Sequence, residues 1–364
     1  MKTRAAVVKK EKGLFEIEEL QLGPLRADEV LVKISGAGIC HTDLIARDQV
    51  YPVPLPCVFG HEGSGVVEQV GENVSKVAPG DHVVLTFGAC GNCRNCLQGV
   101  PSRCLKIFEC NFTGCRHDGS LTYDNDGENI HASFFTQSSF AEYAIAGQQN
   151  TVKVNKDAPL ELLGPLGCGI QTGAGAVLNT LKPKAGSSLA VFGCGSVGLA
   201  GLMAAKAVGC GEIVAIDLLP ERLQLAEELG ATLCLKADEV QVLEKIHELT
   251  GDGVDYSLEC TAVPAVFRQA VDSLNNTGTC ALVGAAAPGE EVTFDMNSIM
   301  FGRTVTGVIE GDSVPDVFIP QLIELYRNGL FPFDKLIEFY SLDEIQQAVT
   351  DMENGKVTKP VLRP

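Results

Sequence analysis

Positive charge is what this chain has least of: 28 lysines and arginines stand against 46 aspartates and glutamates, for a net charge of −18. So acidic a surface repels phosphate backbones and anionic lipid, and it argues against nucleic acid or a membrane surface as partner. Long apolar runs are missing as well. No stretch approaches the roughly 20 residues that a helix needs to cross a bilayer. The first apolar stretch, Ala5 to Val8, ends after four residues at Lys9, too short for a signal-peptide core. Tryptophan is absent, and there is no internal repeat or low-complexity segment. None of this implies disorder, because 45% of the 364 residues are hydrophobic and 20% charged, a globular balance with ample core material. The expectation is a soluble, cytoplasmic protein of two domains, at roughly 150 residues per domain.

Cysteine, by contrast, is plentiful. There are 14, and four of them fall between Cys90 and Cys104. A secreted disulfide scaffold would be short and would carry a signal peptide. In a reducing compartment, clustered cysteines read first as metal ligands.

The chain has two textures. Up to about residue 165 it alternates short apolar runs with Gly and Pro, as in 30–34, 64–70 and 81–85, which reads as short strands of a mostly β domain. From about 187 it turns to a strand–helix cadence. Strands are expected over 188–192, 213–216, 255–259 and 279–283, and helices over 197–208, from Pro220 to a stop at Gly230, and over 264–274. That alternation predicts a parallel sheet in an α/β domain. Residues 110–138 are polar and Gly-rich and read as a surface excursion, with a turn signal at Asp124-Asn125-Asp126-Gly127.

Three motifs carry chemistry. Cys90-x2-Cys93-x2-Cys96-x7-Cys104 supplies four thiolates, enough to close a tetrahedral zinc with no position left for substrate. That makes the site structural. A dispersed set, Cys40, His61 and Cys168, matches the two-cysteine, one-histidine type of catalytic zinc, with Asp43 or Glu62 available to orient the imidazole. By spacing alone a lone histidine and two isolated cysteines are more often structural residues. Gly193-Cys194-Gly195-Ser196-Val197-Gly198 follows a strand and opens a helix, and Asp217 ends the next strand about 20 residues on, the order that a dinucleotide fingerprint needs. The glycines let the backbone approach a pyrophosphate at the helix N-terminus. Asp217 would accept from both ribose hydroxyls and repel a 2′-phosphate, which favours NAD over NADP.

Taken together these residues resemble the zinc-dependent medium-chain alcohol dehydrogenases over essentially the whole chain. The most specific piece is Gly60-His61-Glu62-x2-Gly65-x5-Gly71, similar to the family's zinc signature. The resemblance implies an α/β protein with a GroES-like β catalytic domain at 1–169, a Rossmann doubly wound parallel-sheet NAD-binding domain at 170–306, and a return to the catalytic domain at 307–364. It implies two zincs per chain, a catalytic one on Cys40, His61 and Cys168, with Glu62 able to approach it, and a structural one on the four clustered cysteines. Asp43 matches the orienting partner of His61, and Thr42 the hydroxyl that takes the alcohol proton. His41 and Lys359 match pyrophosphate contacts, Arg222 a basic residue near the adenosine ribose, and Thr172 a residue beside the nicotinamide. Gly193, Gly195, Ser196, Val197, Gly198, Asp217 and Val283 complete the implied NAD site.

The implied reaction follows. Zinc lowers the pKa of the alcohol, the proton leaves through Thr42, and hydride passes to the nicotinamide in a cleft between the domains. One residue departs from the pattern. Many members place a histidine three residues after the relay hydroxyl, and this chain has Ile45, so the last step to solvent is missing or rerouted.

The run from Phe134 to Tyr143 resembles the aryl- and benzyl-alcohol branch. Phe134 and Phe135, with Phe87 nearby, match a substrate lining suited to benzyl, cinnamyl or terpenoid allylic alcohols; otherwise they fill core. The alternative within the family is a hydroxymethylglutathione-type (formaldehyde) dehydrogenase, disfavoured by Tyr51 and Phe108 where that branch has charges. The alternative outside enzymes is a binding protein on the same fold, disfavoured because Cys40, Thr42, His61 and Cys168 are all present. The family forms homodimers and homotetramers, and the strand-like segment 303–308 is the expected sheet edge for that contact.

Overall fold

The structure is a computed structural model that describes residues 1–124 and 128–364. Most of the turn signal at Asp124 to Gly127 thus lies outside the described residues. The chain divides into two compact units. Unit 1 comprises Met1–Gly169, Val314–Ile323 and Asp334–Pro364, and unit 2 comprises Ile170–Ser313 and Glu324–Phe333.

Unit 1 opens with strands β1 (Lys2–Val8), β2 (Phe15–Gln21), β3 (Glu29–Gly38), β4 (Cys57–Val58), β5 (Glu62–Val70), β6 (His82–Leu85), β7 (Tyr143–Gly147) and β8 (Thr151–Val154). The short helices α1 (His41–Arg47), α2 (Arg94–Leu97) and α3 (Ile107–Asn111) lie among them. β1 sits between β2 and β4 in one antiparallel sheet. β3 is the long spine of another, with β5 on one side and β7 also antiparallel to it. The side chains of β1, β3 and β5 alternate faces and bury Ala6, Val8, Val30, Val32, Ile34 and Val67 in one core with Phe59 and Phe140. The expected strands over 30–34 and 64–70 fall inside β3 and β5.

Unit 2 contains α4 (Gly169–Gly175), β9 (Ser188–Phe192), α5 (Ser196–Ala207), β10 (Glu212–Asp217), α6 (Pro220–Leu229), β11 (Leu233–Lys236), α7 (Val242–Thr250), β12 (Val254–Glu259), α8 (Pro264–Asp272), β13 (Leu274–Leu282), α9 (Met296–Met300) and β14 (Thr304–Gly307). Gly169, the first residue of α4, is the last of the opening segment of unit 1. The sheet order is β11-β10-β9-β12-β13-β14, and every neighbouring pair is parallel. The order reverses between β9 and β12, the switch point at which doubly wound sheets hold ligands beyond the strand C-termini. β9 is buried on both faces over Leu189 to Phe192, as a central parallel strand requires. α6 starts on Pro220, whose missing N–H costs nothing there, and stops at Gly230, whose φ of 119° suits glycine. The rest of the chain forms α10 (Pro315–Arg327), which begins in unit 1 and ends in the Glu324–Phe333 segment of unit 2, and then β15 (Ile337–Ser341), α11 (Ile345–Glu353) and β16 (Lys359–Arg363) of unit 1. β15 and β16 extend the β3 sheet of unit 1.

Three expectations differ from what is found. The helix expected over 264–274 ends at Asp272, because buried Leu274 already pairs with Val254 as the first residue of β13. The chain returns to unit 1 at Val314 rather than 307, with Glu324–Phe333 again in unit 2, because residues 310–313 are hydrogen-bonded to Gln171, Asn179 and Thr180 of unit 2. The segment 110–138 is no surface excursion at its far end. Ile130, Ala132, Phe134, Phe135, Gln137 and Ser138 are all buried, because the apolar residues gathered there outweigh the polar character of the stretch before them. No helix among the described residues is long and apolar enough to cross a membrane.

Candidate metal and nucleotide sites

In unit 1 the ligand atoms of Cys40, His61, Glu62 and Cys168 all lie within 4.8 Å of one another. Each comes from the end of a secondary element. Cys40 caps α1 as the chain leaves β3, His61 immediately precedes β5, Glu62 begins it, and Cys168 precedes α4. Gly60 lets His61 turn inward. Its φ is 93°, and a Cβ there would stand 2.5 Å from the Phe140 amide, so the residue before this histidine has to be glycine.

Asp43 organises the group. Its Oδ1 lies 2.8 Å from His61 Nδ1 and accepts the Gly60 amide at 3.1 Å, while Oδ2 accepts the Cys40 amide at 2.9 Å. Both Asp43 and His61 are fully buried. With Nδ1 held by the carboxylate, His61 Nε2 is left buried with no hydrogen-bond partner. A buried imidazole nitrogen costs free energy unless something accepts its lone pair, and the two thiols beside it complete a donor set of the kind that takes zinc. A hydrogen bond with Cys168 holds the Cys40 thiol well below its usual range against the opposing effect of burial, with Lys359 also favouring the thiolate. The donor set therefore fits a catalytic zinc.

Lys359 packs against Glu62 of this group. It is 1% exposed, and its Nζ donates to both oxygens of Glu62, at 3.0 and 2.9 Å, and to the Ile39 carbonyl at 3.1 Å. Glu62 also accepts the Gly169 amide at 2.9 Å. Burial pushes the Glu62 carboxyl up to about 7, and Lys359 pulls the other way. Thr42 Oγ1 is 3.8 Å from Cys40 Sγ. His41 is exposed at the start of α1, and Ile45 is buried on the same helix.

The four clustered cysteines also converge. Sulfur–sulfur distances are 4.0 Å for Cys90–Cys96, 3.5 Å for Cys93–Cys96 and 4.0 Å for Cys93–Cys104. Four sulfurs at about 2.3 Å from a zinc would form a tetrahedron with edges of about 3.8 Å. Backbone amides point at the sulfurs: Cys90 and Lys106 donate to Cys104, and Leu105 to Cys93. Backbone hydrogen bonds from Cys96 and Leu105 bring the Cys93 thiol down to about 6. This set fits a closed zinc site, and no described cysteine forms a disulfide.

Aromatic rings line the His61 side. Phe135 lies 4.5 Å from the imidazole at a 31° tilt, and Phe134 meets it edge-on at 5.5 Å. Both are buried core residues, as is Phe87. Phe112 contacts both rings, and Phe108 and Tyr51 contact Phe112 in turn, with Phe108 62% exposed. Phe112 went unnoticed in the sequence, although its four-residue spacing from Phe108 on α3 was a usable signal. Gln137 also escaped notice: it donates to the His61 and Thr86 carbonyls and accepts the Gly63 amide. Nothing in the local pattern marked it.

In unit 2 the fingerprint sits at the switch point. Gly193 has φ 93°, and a Cβ on Gly198 would fall 1.9 Å from the Gly193 carbonyl, so Gly198 lets α5 pack on the loop. Gly195 caps α5, whose first two residues are Ser196 and Val197. Asp217 accepts the amides of Cys194 (2.7 Å), Leu218 (2.8 Å) and Leu219 (2.9 Å). Arg222 Nη1 is 3.8 Å from Asp217 Oδ2, and its Nε is buried without a partner. Val283, just past β13, donates its amide to the Glu259 carbonyl, and Thr172 is buried on α4.

Two family models match the chain. One describes an alcohol dehydrogenase GroES-like domain and matches residues 26–156; the other describes a zinc-binding dehydrogenase and matches residues 196–328. A geraniol dehydrogenase of Castellaniella defragrans is 45% identical over 362 residues, covering 99% of this chain and 97% of that protein. The crystal structure of benzyl alcohol dehydrogenase from Acinetobacter calcoaceticus superposes with a TM-score of 0.97 at 46% identity, covering 100% of this chain and 99% of that one. An alcohol dehydrogenase zinc-binding domain protein from Burkholderia ambifaria has a TM-score of 0.98 at 52% identity, with 100% and 99% covered.

Proposed function

Since the chain belongs to the zinc-dependent medium-chain alcohol dehydrogenases, in their aryl- and benzyl-alcohol-like branch, we propose that it oxidises primary aromatic and allylic alcohols reversibly to aldehydes with NAD. The observation that carries the substrate class is the ring stack on His61. Phe135 stacks on the imidazole with fully buried Phe134 behind it, and the aromatic series continues through Phe112 to exposed Phe108. Such a wall rewards a flat or unsaturated apolar tail and gives a polyol or a charged peptide nothing to bond. Tyr51 belongs to the same series, which speaks against the hydroxymethylglutathione reading.

Cys40, His61 and Cys168 would hold the catalytic zinc, and Cys90, Cys93, Cys96 and Cys104 a structural one. When bound, zinc supplies Lewis acidity at the alcohol oxygen and NAD the hydride acceptor. Thr42 takes the alcohol proton on Oγ1. Asp43 keeps His61 in the tautomer that leaves Nε2 a lone-pair donor. Gly193, Gly195, Ser196, Val197, Gly198, Thr172, Arg222 and Val283 bind the cofactor, and Asp217 selects NAD by repelling a 2′-phosphate. His41 and Lys359 would contact the pyrophosphate, and Lys359 also donates to Glu62.

The test is NADH formation with benzyl alcohol, cinnamyl alcohol, geraniol, ethanol, sorbitol and hydroxymethylglutathione, run in parallel with NADP. The first three should exceed ethanol in kcat/KM by about 10²-fold, the worth of burying a ring or isoprenoid tail, and two zincs should be counted per chain. Ethanol or hydroxymethylglutathione in first place would overturn the pocket reading.

Free thiols throughout suit the reducing cytoplasm. We also place a contact between copies at β14, the outer strand of its sheet, making the protein a homodimer or homotetramer. Val305, Ile309, Met296, Met300 and Phe301 are exposed apolar residues in and around it. Val308 donates its amide to Leu282 of β13. By the two-residue alternation of a ladder the Thr306 amide faces β13 as well, and that of Val305 faces outward. Val305→Pro should therefore lower the oligomeric state in sedimentation while the monomer stays folded; an unchanged oligomer would refute the contact.

A further inference from the structure

Helix α4 runs without a break into the π-helical segment Ala176–Leu181, and three of its own seven residues are glycine, so its first two turns are by themselves poor helix. Two neighbours in unit 2 make up for this. On one face Gly173 lies against the start of α5: a Cβ there would stand 1.9 Å from the Val197 carbonyl and 3.0 Å from Ala200 Cβ. Gln171 and Gly175, four residues apart, share another face, and that face meets the turn Glu310–Asp312. A Cβ on Gly175 would stand 2.3 Å from the Gly311 carbonyl, and one on Gly311 would stand 2.3 Å from the Gln171 carbonyl.

The turn is unusual in its backbone. Glu310, Gly311 and Asp312 have φ of 51°, 65° and 45°, and two of them are L-residues for which that region is unfavourable. Such a conformation persists only where the surroundings enforce it. Here they do. Gln171 Nε2 donates to Glu310 Oε2 at 3.3 Å, and Ser313 Oγ donates to Gln171 Oε1 at 3.0 Å. Asn179 Nδ2 donates to the Gly311 carbonyl at 2.9 Å, and Thr180 Oγ1 to Asp312 Oδ2 at 2.9 Å. Gln171, Glu310 and Ser313 are all buried.

We propose that the turn Glu310–Asp312 is a clamp that presses α4 onto the start of α5, so that Glu310 and Gln171 are positioning residues for NAD. They act by fixing Thr172 and the Val197 loop, not by touching the cofactor. The proposal rests on the reading that Thr172 and Val197 contact NAD. Where the helix meets the two backbones its residues are Gly173 and Gly175, which have no side chain to hold the contact, and the buried Glu310–Gln171–Ser313 bonds add the constraint there.

The chain has no tryptophan, so NADH can be titrated into the zinc-replete protein by the cofactor's own fluorescence. Glu310→Ala should weaken NADH binding by about tenfold, the loss of one buried hydrogen bond to a charged group. Zinc content and the KM for benzyl alcohol should stay as they are. Glu310→Gln should recover to within about threefold, because its amide oxygen still accepts from Gln171. Ser313→Ala, a smaller change, should shift the same constant in the same direction even if Glu310→Ala folds poorly. Thr172→Val separates the two layers. If it leaves NADH affinity unchanged, the cofactor reading fails and the clamp with it. If it weakens binding while Glu310→Ala and Ser313→Ala do not, the clamp alone is overturned. Equal losses in the alanine and glutamine variants, with falling Tm and zinc content, would likewise overturn it in favour of a merely structural role.

Discussion

Replacing Thr42 with valine should lower kcat by about 10²–10⁴-fold, the span that a positioned proton acceptor contributes. Valine has the shape of threonine without the hydroxyl, so α1 and the cap at Cys40 should survive. The half-buried Thr42 hydroxyl stands 3.8 Å from Cys40 Sγ, beside the Cys40–His61–Cys168 donor set and not part of it. A hydroxyl can accept a proton's hydrogen bond on one side and donate onward on the other, which an alkyl group cannot. Zinc content and NADH affinity should therefore be unchanged, and Thr42→Ser should lie within about tenfold of the parent enzyme. Steady-state rates with benzyl alcohol and a metal count decide the matter. A valine variant within tenfold of the parent would show that the proton leaves by another route.

Asp43→Ala should be the most damaging change outside the ligands themselves. The carboxylate is wholly enclosed and serves three partners: the imidazole of His61 and the amides of Gly60 and Cys40. Removing it strands three buried polar groups, each at a cost of about 1–3 kcal/mol. Partial relaxation leaves about 3–5 kcal/mol in all, comparable with breaking a buried charge pair. In a unit of this size that amounts to a fall in Tm on the order of 10 °C. The imidazole also loses what fixes its tautomer, so metal affinity should drop about 10–100-fold. Asp43→Asn should recover only part of this. Its oxygen can still accept from Gly60, but its NH2 would then confront the Cys40 amide, donor against donor. Thermal melts and metal titration of both variants provide the check. A stable, fully metallated alanine variant would mean that His61 is oriented by the fold alone.

The sequence by itself determined what depends on neighbours along the chain. The parallel sheet was legible because β9, β10, β12 and the helices between them carry their own periodicity, start signals and stops, as Pro220 and Gly230 do for α6. The four-cysteine cluster was legible because its ligands lie within 15 residues and short loops can close them. The family was legible in the run from Gly60 to Gly71, where close backbone approach demands glycine at fixed intervals, as at Gly60 itself.

What only the tertiary structure decided are contacts between residues far apart in sequence. Lys359 and Glu62 are 297 positions apart, and a lysine five residues from the chain end looks solvated until β16 is seen to run beside β3. The same holds for Gln137 under His61, for Phe112 against Phe135, and for Glu310 on Gln171. The stretch 110–138 misled for the opposite reason: its average polarity hid a few apolar side chains that a distant core was waiting to cover. Local propensity and spacing act over a few residues, whereas burial is settled by whichever surfaces the completed sheets bring together.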